Sequence, residues 1–160
     1  FTPKSLLSRP DAVSPHREFL APSRFREVLP DPDAPAPDQV TRAVFCTGKV
    51  YYDLAACRKE RNIADTVIIR LEQIYPLARE QLTFLLAPYQ KVRDFVWCQE
   101  EPSNMGAWGH LRNRLGHLFA TSFRYAGRPP MACPAEGAKA LHAAAQKRLL
   151  AAAFGPRTQS

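Results

Sequence analysis

The apolar run Phe95-Val96-Trp97-Cys98 stops abruptly at Gln99-Glu100-Glu101, then turns through Pro102-Ser103-Asn104-Met105-Gly106-Ala107 into a helical pattern beginning at Trp108. A strand covered on both faces reads as a continuous apolar run, and polar residues at its end land on the carboxyl edge of a parallel sheet. The same event recurs at Val44-Phe45-Cys46-Thr47-Gly48-Lys49, at Val67-Ile68-Ile69-Arg70-Leu71-Glu72-Gln73 and at Ser122-Phe123-Arg124-Tyr125-Ala126-Gly127-Arg128. Four such exits predict one rim that collects Lys49, Arg70, Glu72, Gln73, Gln99, Glu100, Glu101, Arg124 and Arg128.

Periodicity, and for the last helix an Ala- and Leu-rich composition, supplies the rest of the layout. Strands are expected at 42–46, 66–70, 94–98 and 121–125, with helices at 50–61, after Pro76-Leu77 to Leu86, at 108–119 and at 137–154. Pro88 sets the second helix's end, because the residue before a proline disfavours helical backbone. Strands alternating with helices predict an α/β fold whose mostly parallel sheet is covered on both faces. Residues 1–29 lack sustained periodicity and read as an extended arm with one helical turn over 23–29. Pro30-Asp31-Pro32-Asp33-Ala34-Pro35-Ala36-Pro37-Asp38 reads as a stiff, solvated linker. Residues 1–39 are therefore expected to be arm and linker, and residues 40–160 the domain. The opening on Phe1 suggests a piece of something longer.

Composition narrows function. The net charge of +7 comes from 22 basic and 15 acidic residues. The cations are scattered without a basic run, which argues against nucleic acid as partner. Cys46, Cys57, Cys98 and Cys133 form no CxxC pair, so a zinc site is not expected. Cys46 and Cys98 close apolar strands and read as small core residues, and this usage suits a reducing compartment. No apolar segment reaches the roughly 18 residues of a membrane span, and no signal peptide is recognisable.

Candidate chemistry is sparse. Gly48-Lys49 follows a strand, but the P-loop spacing fails: Ala43 stands where the first glycine belongs, and Val50 follows the lysine. Lys49 could meet an anion at a helix N-terminus, or Gly48 could simply permit a tight turn. Glu100 and Glu101 could act as general acid and base, yet neighbours on a strand point to opposite faces. The alternative pairs them with Arg124, Arg128 or a partner subunit's cations. His110 and His117 share a helix face but sit about 10 Å apart, too far for one metal. No GxSxG elbow occurs. These residues alone describe a binding or structural module.

Five ordered strings carry a resemblance: Phe1-Thr2-Pro3-Lys4-Ser5-Leu6-Leu7, Cys46-Thr47-Gly48-Lys49-Val50-Tyr51-Tyr52-Asp53-Leu54, Arg70-Leu71-Glu72-Gln73-Ile74-Tyr75-Pro76, Trp97-Cys98-Gln99-Glu100-Glu101-Pro102 and Arg124-Tyr125-Ala126-Gly127-Arg128. Together they resemble the C-terminal domain of the thiamine-diphosphate-dependent, decarboxylating first component of the 2-oxoglutarate dehydrogenase complex. The resemblance implies a transketolase C-terminal-like three-layer sandwich with a mixed sheet. It implies a whole enzyme that oxidatively decarboxylates 2-oxoglutarate. That enzyme passes succinyl to the lipoyl group of a dihydrolipoyl succinyltransferase in the tricarboxylic acid cycle. Thiamine diphosphate, Mg2+ and the catalytic residues are implied to lie upstream, leaving this region a share in a homodimer. The implied compartment is the bacterial cytoplasm, or the mitochondrial matrix in eukaryotes.

The resemblance also implies an effector site. Actinobacterial members bind acetyl-CoA through the arm and the segment after the second strand, where Arg24 matches a basic position and Gln73 the amide. Glu27 stands in place of a serine, and Glu80 and Gln81 in place of an arginine pair. Other bacterial relatives bind a nucleotide monophosphate such as AMP. Candidate effector-binding residues are thus Arg24, Gln73, Lys49, Arg124 and Arg128. Two other readings stay open: a stand-alone anion- or nucleotide-binding α/β module, and the same domain of a 2-oxoadipate dehydrogenase.

Overall fold

The computed structural model describes residues 4–156, so the Phe1-Thr2-Pro3 part of the expected opening strand exit lies outside the described residues. Five strands make one sheet: β1 (Val28–Leu29), β2 (Arg42–Cys46), β3 (Thr66–Leu71), β4 (Asp94–Pro102) and β5 (Phe123–Arg128). Their order is β1-β3-β2-β4-β5, with β3, β2, β4 and β5 parallel and β1 antiparallel along the β3 edge. Four helices follow the strands: α1 (Val50–Glu60), α2 (Arg79–Leu86), α3 (Trp108–Phe119) and α4 (Lys139–Phe154).

Strand side chains alternate between two cores. Ala43, Phe45, Val67, Ile69 and Trp97 share one core with Leu82 of α2 and Leu111 and Leu115 of α3. Val44, Cys46, Ile68, Val96, Cys98 and Ala126 share the other with Leu54 of α1 and Leu149 and Ala153 of α4. The product is the expected three-layer sandwich, with a mixed sheet. Burial pushes the Cys46 and Cys98 thiols up, so both are inert packing groups, as the apolar strand ends suggested.

The chain leaves β2 towards β3 on one side, then crosses to β4 and β5 on the other. The topological switch therefore falls between the carboxyl ends of β2 and β4, the crevice where open α/β sheets bind ligands. Parallel register aligns Cys46 with Cys98, which sets Lys49 and Glu100 beside each other just beyond.

Three sequence expectations are corrected. The helical turn over 23–29 is instead extended chain ending in β1, because the Glu27 carbonyl accepts hydrogen bonds from the Glu72 and Gln73 amides (2.9 and 3.0 Å) and docks the arm as an edge strand. Short 3-10 turns occur upstream, at Lys4–Ser8 and His16–Phe19. The segment over 30–38 is not merely a solvated linker. Asp31 turns inward, its carboxylate gripping both terminal nitrogens of Arg58 and accepting from the Ile68 amide at 2.9 Å. The last strand begins two residues later than expected. Ala120 ends α3 in left-handed backbone (φ 49°), so extension resumes only at Phe123, whose ring packs edge-on to Phe45 at 5.2 Å.

Candidate functional site

At the switch crevice, Gly48 adopts φ +69°, a left-handed turn that favours glycine and swings Lys49 over the end of β2. Lys49 Nζ lies 2.5 Å from Glu100 Oε1 and 3.8 Å from Asp53 Oδ2. Asp53 of α1 also receives Arg9 from the arm and Gln146 Nε2 from α4, each at 2.9 Å. The crevice is thus filled by a network joining arm, α1, α4 and β4. Lys49 is engaged by two carboxylates rather than presented to an anion.

The Gln99 string turns out to organise the backbone. Gln99 is 1% exposed. Its Oε1 accepts from Trp97 Nε1 (2.8 Å) and the Trp108 amide (3.0 Å). Its Nε2 faces the carbonyls of Glu101 (3.2 Å), Pro102 (3.2 Å) and Met105 (2.8 Å). One amide side chain therefore closes the whole strand-to-helix turn. Gly106 is needed there twice over: φ is +64°, and a Cβ would stand 2.9 Å from Gln99 Nε2.

The Arg124–Arg128 string splits. Arg128 is buried at the carboxyl rim, donating to Glu136 Oε1 at 2.7 Å and to the Glu100 carbonyl, and facing His142 Nδ1 at 3.1 Å. The Tyr125 hydroxyl donates to the Glu101 or Arg128 carbonyl (2.9 and 3.1 Å), and burial pushes its pKa up to about 12. A Cβ on Gly127 would stand 2.3 Å from that hydroxyl. Arg124 lies at the opposite, amino edge. It grips Asp94 (3.1 and 3.3 Å) and the Ala152 carbonyl (2.6 Å), beside Arg42, which holds Asp94 (2.6 Å) and the Phe154 and Gly155 carbonyls. Burial raises the Asp94 pKa, but hydrogen bonds from Arg124 and Arg42 outweigh it and hold the carboxyl below its ordinary value. This two-arginine clamp fastens the end of α4 to the sheet, and nothing in the local sequence announced it.

The expected rim is therefore corrected at Arg124, and its ion pairs differ from expectation. Glu100 pairs with Lys49, not with Arg124 or Arg128, while Glu101 is exposed and forms no ion pair among the described residues. Register explains this: Arg124 aligns with Val96, four residues before Glu100. Arg70 sits in an ion pair with Glu72 (2.9 Å), its guanidinium 4.3 Å from the Tyr51 ring centroid.

Two clefts flank the arm. One of ≈ 860 Å³ runs between arm and rim and includes Arg17, Phe19, Arg24, Phe25, Tyr52 and Arg70. The other, ≈ 410 Å³, brings together Arg24, Glu27, Glu80, Gln81 and Phe84 on the α2 side. There Gln81 Nε2 donates to Glu27 Oε2 at 2.8 Å, which holds the Glu27 carboxyl below its ordinary value. Gln73 is directed elsewhere, donating to the Pro76 carbonyl at 2.8 Å. The five effector candidates thus do not converge: Arg24 lines both clefts, Gln73 neither, Lys49 and Arg128 are engaged in internal pairs, and Arg124 is on the far edge. Among the described residues no three His, Cys, Asp or Glu side chains could hold a metal ion. None of their helices is long and apolar enough to cross a membrane.

The chain is 45% identical over 155 residues to the 2-oxoglutarate dehydrogenase E1 component of Cupriavidus necator, covering 96% of this chain and 16% of the relative. It is 44% identical over 158 residues to that of Azotobacter vinelandii (96% and 17%). It is 41% identical over 161 residues to the mitochondrial 2-oxoglutarate dehydrogenase of Caenorhabditis elegans (97% and 16%). The chain thus spans about one sixth of the length of these relatives. Residues 13–154 match the family described as 2-oxoglutarate dehydrogenase C-terminal, and the chain belongs to that family.

Proposed function

We propose that this chain is the C-terminal domain of a thiamine-diphosphate-dependent 2-oxo acid dehydrogenase. The whole protein would be an oxidoreductase that decarboxylates 2-oxoglutarate and passes succinyl to the lipoyl group of a dihydrolipoyl succinyltransferase. The proposed division is a domain over residues 40–160 and an arm over residues 1–39 that lends the sheet its edge strand β1. The domain's task is assembly of the enzyme's homodimer, and its cellular place the bacterial cytoplasm. The observation that carries the reading is the family match over residues 13–154, joined to a rim where Lys49, Asp53, Glu100 and Arg128 are engaged with neighbouring protein groups.

Thiamine diphosphate supplies the carbanion-stabilising chemistry of such enzymes. The residues here do not fit it: the carboxylates at the switch crevice, Asp53 and Glu100, are taken up by Lys49, Arg9 and Gln146, which leaves no cradle for a diphosphate and its Mg2+. We assign both to other regions of the protein. An acetyl-CoA or AMP effector would meet Arg24, the one of the five candidates that lines these clefts. Glu27, bonded to Gln81, and Glu80 offset Arg24 and Arg26 in the α2-side cleft, so it offers phosphates no surplus of cations and is expected not to bind acetyl-CoA. Titration calorimetry with acetyl-CoA and AMP checks this, and micromolar binding of acetyl-CoA would overturn it.

The main reading is tested by deleting residues 40–160 from the whole enzyme. Loss of dimer in sedimentation and loss of turnover with 2-oxoglutarate are expected. A truncated enzyme with full turnover would refute an assembly role.

A further inference from the structure

Among the described residues, eight large apolar side chains stand exposed, and five of them (Leu7, Val13, Phe19, Leu20 and Phe25) belong to the arm before β1. Phe19 and Phe25 are 72% and 63% exposed although both line the ≈ 860 Å³ cleft. Isolated exposed apolar groups need no explanation, but a cluster rimmed by charge marks a docking surface. The rim has a sign. Arg26 is paired with Glu18 at 3.0 Å and Arg70 with Glu72 at 2.9 Å, whereas Arg17 and Arg24 form no ion pair among the described residues. A matching occupant presents apolar side chains flanked by carboxylates.

The arm itself is anchored from beneath. Arg9 reaches Asp53, and the Glu27 carbonyl takes the Glu72 and Gln73 amides, so the exposed face is held in place rather than left to collapse. About five sixths of each relative's length lies outside the region matched here.

We infer that the Phe19–Phe25 face of the arm is the seat of the remaining part of the same polypeptide, which covers it with an apolar patch bordered by acidic side chains. This rests on the reading above that the chain is one domain of a longer enzyme, and names the surface that joins it to the rest. A second copy of this chain is the competing occupant.

Hydrogen–deuterium exchange decides. The 160-residue chain is compared with a Cupriavidus necator enzyme whose matching C-terminal region is replaced by this chain. In the chimera, amides over 16–25 are expected to exchange at least tenfold more slowly than in the chain alone. F19S/F25S and R17E/R24E should each abolish that protection, while L141S, exposed on α4, should keep it. None of these exposed substitutions should shift the melting temperature of the chain alone, which separates lost docking from lost folding. Equal exchange in chimera and chain, or protection that survives F19S/F25S, overturns the surface while leaving the assembly reading standing. Dimerisation of the chain alone that F19S/F25S abolishes assigns the face to a second copy and overturns the proposed occupant. A chimera that is monomeric and inactive, yet folded, counts against the assembly reading itself.

Discussion

Replacing Asp31 by alanine should destabilise this chain by about 3 kcal/mol, because the change strands a buried guanidinium. Asp31 and Arg58 side chains are 1% and 7% exposed. The carboxylate meets both terminal nitrogens of Arg58 and also accepts from the Ile68 amide in the middle of β3. Its removal leaves one buried cation and one buried amide unpaired. Breaking such a pair from one side costs roughly 3–5 kcal/mol. The lower end is expected, since Arg58 Nη1 keeps a hydrogen bond to the Thr66 carbonyl at 3.2 Å. Urea denaturation of the chain gives the loss as a fall in midpoint at unchanged slope. The double variant D31L/R58M removes both charges and should recover most of the loss, since an apolar pair of similar volume avoids the desolvation penalty. A D31A variant within 1 kcal/mol of the parent would refute the claim that this segment is anchored by a desolvated ion pair.

Three further outcomes are expected. Q99L should cost about 3 kcal/mol in the same assay, because Trp97 Nε1 and the Trp108 amide lose their shared acceptor and three carbonyls lose a donor. D94N should flatten the acid limb of stability against pH. The folded Asp94 pKa is depressed below the ordinary 3.8, so its contribution is complete above that value and is lost as pH falls through and below it. An unchanged acid limb in D94N would show that the Arg42–Asp94–Arg124 clamp contributes nothing. A120G should raise stability by about 1 kcal/mol, because Ala120 holds φ 49° at the end of α3, where only glycine escapes the left-handed penalty; thermal melting checks the sign.

The sandwich was legible because its signals are local. Apolar runs ending in polar clusters marked β2, β3 and β4, helical spacing marked α1, and an Ala- and Leu-rich composition marked α4. The end of α2 was readable from Pro88, whereas β1 was not, since two residues carry no period and pair only because the Glu27 carbonyl finds the amides of Glu72 and Gln73. The strings that carried the family resemblance were legible as motifs, but their purpose was not. Gln99, at the exit that most constrained the fold, holds a turn together from inside rather than facing a ligand.

What the chain order determined by itself is the alternation of β2 to β5 with their helices, and hence a mostly parallel sheet covered on both faces. The strand order, and with it the switch between β2 and β4, came only with the tertiary structure. Only the tertiary structure decided who neutralises whom: Asp31 for Arg58 across 27 positions, Lys49 for Glu100 across 51, and Arg124 at the amino edge with Asp94. Such pairs depend on strand register and on where a proline-rich segment doubles back, and a shift of two residues in β5 was enough to move an arginine from one end of the sheet to the other.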